Sequence, residues 1–231
     1  MLKRKQLFLR RPKSTKALNQ IPGTVTYIGR KEAVETKLEV IDYNKESFER
    51  YISTNPEDAF NFEDDDKNTW ININGLNNTR EIEKLGKYYD LHPLILEDIV
   101  NTNQRPKVDE FQDYIFLVVK MLYYPKDADQ KTNGTLVNEH ISIVVGKDYV
   151  LTFQEADGDV FEGIRDRLAN AKGRIRNHGT DYLLFSLLDA IIDQYFEVID
   201  SIGDKIEILE DNLFQAQPSD DITFEIQELK R

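Results

Sequence analysis

Two adjacent carboxylates, Glu97 and Asp98, stand near the end of the run His92-Pro93-Leu94-Ile95-Leu96-Glu97-Asp98-Ile99. Proline after His92 suits a first helical turn, where its missing N–H would be unpaired in any case. The short helix carries an apolar run and then the two acids. A polar break, Asn101-Thr102-Asn103-Gln104-Arg105-Pro106-Lys107, comes next. Acids at a helix end beside a basic turn suggest a cation site that brings its own counter-charges. Oxygen donors of this kind suit hard cations. The competing view is plain: exposed acids are usually just solvated.

A second acidic feature lies downstream. From Asp181 to Gln215, Leu184, Leu187, Leu188, Ile191, Ile192, Tyr195, Ile199, Ile202, Ile206, Leu209 and Leu213 recur at helical intervals. At about 100° per residue, Asp189, Asp193, Glu197, Asp200, Asp204, Glu207 and Asp211 share roughly 80° of arc opposite them. Like charges four apart cost a helix about 0.2–0.5 kcal/mol per pair. A stripe this uniformly acidic fits an ordinary wet helix face less well than one that meets something cationic, either metal or a basic segment. Gly203 leaves open a bend, or a break into two antiparallel helices.

The elements that must position these acids are legible in outline. Thr24 to Tyr27 and Lys37 to Tyr43 read as strands, and Lys45 to Tyr51 as a short helix with Phe48 and Tyr51 on one face. Pro56 to Asn68 reads as a loop. Its Glu63-Asp64-Asp65-Asp66 cluster lacks the alternation and glycine of a calcium loop. Trp70 to Asn74 is a strand, Thr79 to Tyr88 a helix, and the apolar run from Tyr114 to Met121 a buried strand. Leu136 to Gly146 and Tyr149 to Gln154 form a hairpin about Gly146-Lys147-Asp148, which makes His140 a strand residue without ligand duty. Asp157 to Asn170 is helical. Helices flanking the strand groups predict an α/β (mixed α+β) fold with a sheet covered on both faces. Pro218-Ser219-Asp220-Asp221 caps a further helix starting near Ile222, and its acids suit the helix dipole rather than a metal.

Composition excludes several classes. There are no cysteines and only three histidines, so thiolate or histidine-rich metal sites are out. The net charge of −12 argues against nucleic acid as a partner. The exception is the N-terminus, where Lys3, Arg4, Lys5, Arg10, Arg11, Lys13 and Lys16 form a basic tail, either solvated or touching lipid or an acidic face. No apolar run approaches the roughly 18 residues that span a bilayer, which predicts a water-soluble chain. Neither a phosphate-cradling glycine loop nor a nucleophile elbow is present, so phosphoryl chemistry at the acids is disfavoured and no enzyme is predicted.

The motifs HPLILEDI, QRPKV and YIFLVVKM resemble the cytoplasmic domain of the CorA family of magnesium transporters. So do Trp70-Ile71-Asn72-Ile73, Thr152-Phe153-Gln154-Glu155 and the run from Asp181 to Phe196. They come in the family's order, and the likeness runs from about Gly23 to the end. It implies a three-layer αβα sandwich with a roughly seven-stranded mixed sheet, then long acidic helices and the start of a stalk helix. The corresponding divisions are a basic tail at 1–22, the αβα domain at 23–178, an acidic helical region packed on it at 179–217, and the stalk beginning at 218–231. It implies, too, that the chain stops short of two membrane spans with a Gly-Met-Asn signature.

The same resemblance implies a cytoplasmic metal-sensing domain at the cell membrane, part of a homopentamer of a magnesium, cobalt or nickel transporter. A regulatory Mg2+, replaceable by Co2+ or another divalent cation, would bind between subunits and stabilise the closed state. Asp98 matches one ligand, whose stalk partner lies past Arg231. Glu97 and Asp189 match a second position, while Asp193 is a candidate from the stripe alone. The equivalent domain of a zinc-transporting relative is the alternative.

Overall fold

Side chains alternate between the two faces of a strand, and in this chain both sets are apolar. On β1 (Lys37–Tyr43), Leu38 and Val40 face one core while Ile41 and Tyr43 face another. The same split divides Ile71 and Ile73 from Trp70 on β3 (Asn68–Asn74). It also divides Phe116 and Val118 from Leu117 and Met121 on β5 (Ile115–Tyr123). A sheet apolar on both faces must be covered on both, which gives three layers.

The computed structural model describes residues 21–29, 35–60, 66–125, 136–215 and residue 226. Among the described residues seven strands form one sheet. With β2 (Phe48–Ser53), β4 (Lys107–Glu110), β6 (Val137–Val145) and β7 (Tyr149–Gln154), the order is β2-β1-β3-β7-β6-β5-β4. All neighbours are antiparallel except β3 and β7. One face is covered by α1 (Thr79–Tyr88) and α2 (Pro93–Val100) through Ile82, Leu85, Ile95, Leu96 and Ile99. The other is covered by α3 (Glu162–Ala169) and the first half of α4 (Thr180–Gln215) through Ile164, Leu168, Leu183, Leu187 and Ile191. The expected αβα sandwich with a mixed sheet is therefore present.

Several local expectations are overturned. Lys45 to Tyr51 is not a helix: Phe48–Ser53 pairs with β1 as an edge strand. Phe48 packs into one core and Tyr51 into the other, so residues three apart bury on opposite faces of a sheet rather than on one face of a helix. Thr24 to Tyr27 forms no strand; only Ile28 bridges, to Asn101. Pro56–Ala59 is a short 3-10 turn within the expected loop. The helix expected from Asp157 starts at Glu162, after a turn in which Asp159 accepts the Phe161 N–H at 2.9 Å. β4 was not anticipated.

At Gly203, α4 neither bends into a hairpin nor breaks. It runs for 36 residues, about 54 Å at 1.5 Å per residue. The basic tail, Glu63 to Asp65, and the cap and stalk start at 218–231 (residue 226, which is helical, apart) lie outside the described residues.

Candidate metal centre

α2 is built to present its acids sideways. Pro93 fills the first turn, and the His92 imidazole accepts the Leu94 N–H at 3.2 Å, capping the helix. Ile95, Leu96, Ile99 and Val100 bury against the sheet, which leaves Glu97 and Asp98 half-buried at the flank. α1 comes close because Gly86 has no side chain: a Cβ there would stand 2.5 Å from a Leu96 methyl.

The turn after α2 folds back over Asp98. Lys107 Nζ lies 2.7 Å from Asp98 Oδ2 and 2.6 Å from Asp109 Oδ2, and the Gln104 amide donates to Asp98 Oδ1. The ammonium also stands 5.4 Å from the centre of the Phe116 ring. Burial works against the charged form of Lys107, but the Asp109 and Asp98 carboxylates outweigh it and raise its pKa. The counter-charges expected of the QRPKV turn thus come from one lysine shared by two acids.

Glu97 is held differently. Its Oε2 accepts the backbone N–H of Gly23 at 2.9 Å. Residues 21–29 run over α2 as a strap, fixed by Ile28 N–H to Val100 O at 2.9 Å and Thr102 N–H to Ile28 O at 3.1 Å. Lys120 in turn donates to Thr102 O at 2.7 Å and approaches His140 Nδ1 at 3.5 Å. Burial, and then the Lys120 charge, push the His140 imidazole down to about 3. His140 is accordingly a neutral strand residue.

Asp189 and Asp193 are exposed on α4, whose core residues lie on the opposite face of the sheet from those of α2. One copy of the chain therefore holds Glu97 and Asp98, each by its own partners, on α2 and keeps Asp189 and Asp193 apart from them. Among the described residues there is no group of three or more acids and histidines arranged to hold a metal. The acidic stripe is where the periodicity predicted it, with all seven acids from Asp189 to Asp211 exposed.

Its apolar counterpart is only partly covered. Leu183, Leu187, Ile191 and Val198 are buried, while Phe185, Ile192, Ile199, Ile206 and Leu213 are exposed at heptad spacing. That bare seam is readable in the sequence as a seven-residue repeat.

Charged groups elsewhere pair among themselves. Arg165 donates to both oxygens of Asp159 at 2.7 Å and to Glu39 at 2.8 Å, beside an open cleft of about 430 Å³. Lys37 at its rim pairs with Asp157 at 2.8 Å. These contacts fasten α3 to the sheet.

Residues 65–231, more than half of the chain, match the family model described as "CorA-like Mg2+ transporter protein". The chain belongs to the CorA family. That family is one of transporters, not enzymes. The chain is 39% identical over 210 residues to the cobalt/magnesium transport protein CorA of Thermotoga maritima, covering 91% of this chain and 58% of that one. It thus spans a little over half the length of this relative. The soluble domain of CorA from Methanocaldococcus jannaschii shares the fold, with a TM-score of 0.58 at 19% identity, over 83% of this chain and 70% of that one. So does the ZntB cytoplasmic domain from Vibrio parahaemolyticus, with a TM-score of 0.56 at 13% identity, over 74% and 65%. No helix among the described residues is long and apolar enough to cross a membrane.

Proposed function

We propose that this chain is the cytoplasmic metal-sensing domain of a magnesium (cobalt or nickel) channel-like transporter of the CorA family. In this reading Asp98 of one subunit meets a stalk acid of its neighbour past Arg231, and Glu97 and Asp189 form a second position nearby. Asp193 on the α4 stripe is a further candidate, and together these acids make a divalent-cation seam between neighbouring copies of a homopentamer. Residues 23–178 are the sensing unit, 179–217 pack on it, and 218–231 lead into a stalk that joins the membrane segments. The observation that carries this is the geometry at Asp98, a half-buried carboxylate whose oxygens already meet an ammonium and an amide. It is a position organised around positive charge. The separation of Asp189 from Glu97 within one copy supports a site completed by a second copy.

The donors fit magnesium. They are carboxylate oxygens, few in number, and Mg2+ takes one or two carboxylates while keeping several waters. A cysteine-free chain offers no thiolate to zinc, and the likeness to ZntB is one of fold. Relatedness to a cobalt/magnesium transporter at 39% identity favours the magnesium reading over the zinc one.

The chain's own residues supply the response. Carboxylates facing each other across a seam repel by about 1 kcal/mol at 4 Å in water and about 4 kcal/mol at a surface dielectric near 20. The strap holds Glu97 and the turn after α2 holds Asp98, so this repulsion opposes closure instead of being relieved by side-chain rotation. A bound divalent cation supplies the positive charge that turns repulsion into attraction. The arrangement bringing the acids together is then the one populated, and the seam closes.

The test is Mg2+ uptake by the full-length transporter in vesicles at low and millimolar internal Mg2+. Asp98→Ala should relieve inhibition by internal Mg2+. Inhibition unchanged in that variant contradicts the assignment.

A further inference from the structure

We infer that Lys107 is an internal competitor at Asp98, a tethered ammonium that occupies the carboxylate until a divalent cation displaces it, and that it thereby sets the concentration at which the seam responds. This rests on Asp98 being a ligand, as proposed above, and adds a residue that determines how strongly it binds.

Lys107 and Asp98 come together by construction. β4 pairs with β5 in antiparallel register, Lys107 opposite Val118 and Asp109 opposite Phe116. Lys107 and Asp109, two apart on one strand, point to the same side. The ammonium therefore sits between two carboxylates, 2.7 Å from Asp98 Oδ2 and 2.6 Å from Asp109 Oδ2. With Gln104 donating to Oδ1, both oxygens of Asp98 are taken.

Magnesium binds oxygen at about 2.0–2.1 Å, and a carboxylate that accepts it directly must give up other partners on the same lone pairs. An ammonium in hydrogen-bond contact with Oδ2 stands in that place and repels the incoming charge. Displacement is nonetheless easy to accommodate. The side chain of Asp98 is 15% exposed and that of Lys107 33%, whereas Asp109 is 41% exposed and opens to water. On leaving Asp98, the ammonium keeps Asp109 as its partner and swings on a four-carbon stem, with no buried charge left unpaired. Asp109 acts as a resting berth. Such an exchange keeps the site weak, as a sensor of an abundant ion must be.

The two residues flanking this exchange make opposite predictions. Removing the ammonium with Lys107→Met frees Oδ2, so Mg2+ should bind the full-length protein more tightly. Half-saturation should fall roughly fivefold, the scale of a lost half-exposed ion pair. Removing the berth with Asp109→Asn leaves the ammonium to Asp98 alone, and half-saturation should rise. Lys107→Arg should stay near the wild type. A purely structural role for this corner would move K107M and D109N in the same direction.

The experiment is calorimetric titration of the purified full-length protein with MgCl2, repeated with CoCl2. It uses wild type, K107M, K107R, D109N, D98N and the double variants D98N/K107M and D98N/D109N, each checked for native circular dichroism. Opposite shifts in K107M and D109N, both abolished by D98N, support the exchange. K107M binding no tighter than wild type, with D98N still abolishing binding, overturns this inference alone. Binding unaffected by D98N overturns the ligand assignment beneath it.

Discussion

The Glu97 carboxylate accepts the backbone N–H of Gly23 at 2.9 Å, closing a contact across 74 positions of sequence. Gly23 has φ of 85°, in the region that glycine adopts freely, and a Cβ there would come 3.1 Å from Pro93 Cβ. The acid proposed to face a neighbouring subunit thus also ties down the strap over α2. A hydrogen bond to a charged group contributes about 1.5–3 kcal/mol. Glu97→Ala should loosen residues 21–29, with amide exchange at Ile28 and Thr102 rising by about tenfold or more. Glu97→Gln, which keeps an acceptor, should retain most of the protection. Equal exchange in wild type and E97A would show that the strap is held elsewhere.

Arg165 offers a stability test independent of metal. Its side chain is 7% exposed and bridges Asp159, at 6%, and Glu39, at 11%. Burial alone would favour losing the guanidinium charge, but the Asp159 and Glu39 carboxylates outweigh it and raise its pKa. Removing one partner of a buried pair leaves uncompensated charge and costs about 3–5 kcal/mol. Arg165→Met should lower the urea midpoint accordingly, and Asp159→Asn in the same background should recover part of the loss, since Glu39 still has Arg50 at 2.6 Å. A change below about 1 kcal/mol in R165M would mean that water already screens the cluster.

Acid should weaken the fold through His140. Burial, then the Lys120 charge, lower its pKa from 6.5 to about 3. With the folded value below the unfolded one, the unfolded chain takes up the proton first. The stability given by the neutral ring is complete above pH 6.5 and is lost as pH falls toward 3. The slope from this one group is about 1.4 kcal/mol per pH unit within that window. Unfolding titrations between pH 7 and 4.5 should therefore be steeper for the wild type than for His140→Gln. Parallel curves would contradict a buried neutral imidazole.

What the sequence revealed depended on whether one face or two were buried. α1 was legible to the residue, because Ile82 and Leu85 share one face against the sheet while Arg80, Glu83 and Lys87 stay wet. Phe48 and Tyr51 misled because they pack into opposite cores from an edge strand on which Glu49, Arg50 and Ile52 stay exposed. β4 carries a single apolar residue, Val108, which is itself exposed, so nothing in its composition marks a strand; its pairing with β5 does. On α4, periodicity placed the acids correctly. It could not say which apolar residues the sheet would reach, since Leu183 and Val198 are buried while Ile192 and Ile199 are bare.

At the candidate centre, Glu97 and Asp98 stood out as neighbours on one short helix, and the basic turn hinted at counter-charge. The grip of Gly23 on Glu97 left no trace, because a backbone N–H donates whatever its side chain. The relation of Asp189 to α2 is likewise absent from any local pattern, since the sheet divides the two helices within one copy.

The central claim is that Asp98 shares a divalent cation with a second copy of the protein. Its most direct test is anomalous diffraction from crystals of the full-length protein grown with Co2+, collected at the cobalt edge. The account predicts a peak within coordination distance of an Asp98 carboxylate oxygen, at a boundary between two subunits, with Lys107 withdrawn to Asp109. Cobalt bound only away from residues 97, 98, 189 and 193, with Lys107 still on Asp98, would contradict it.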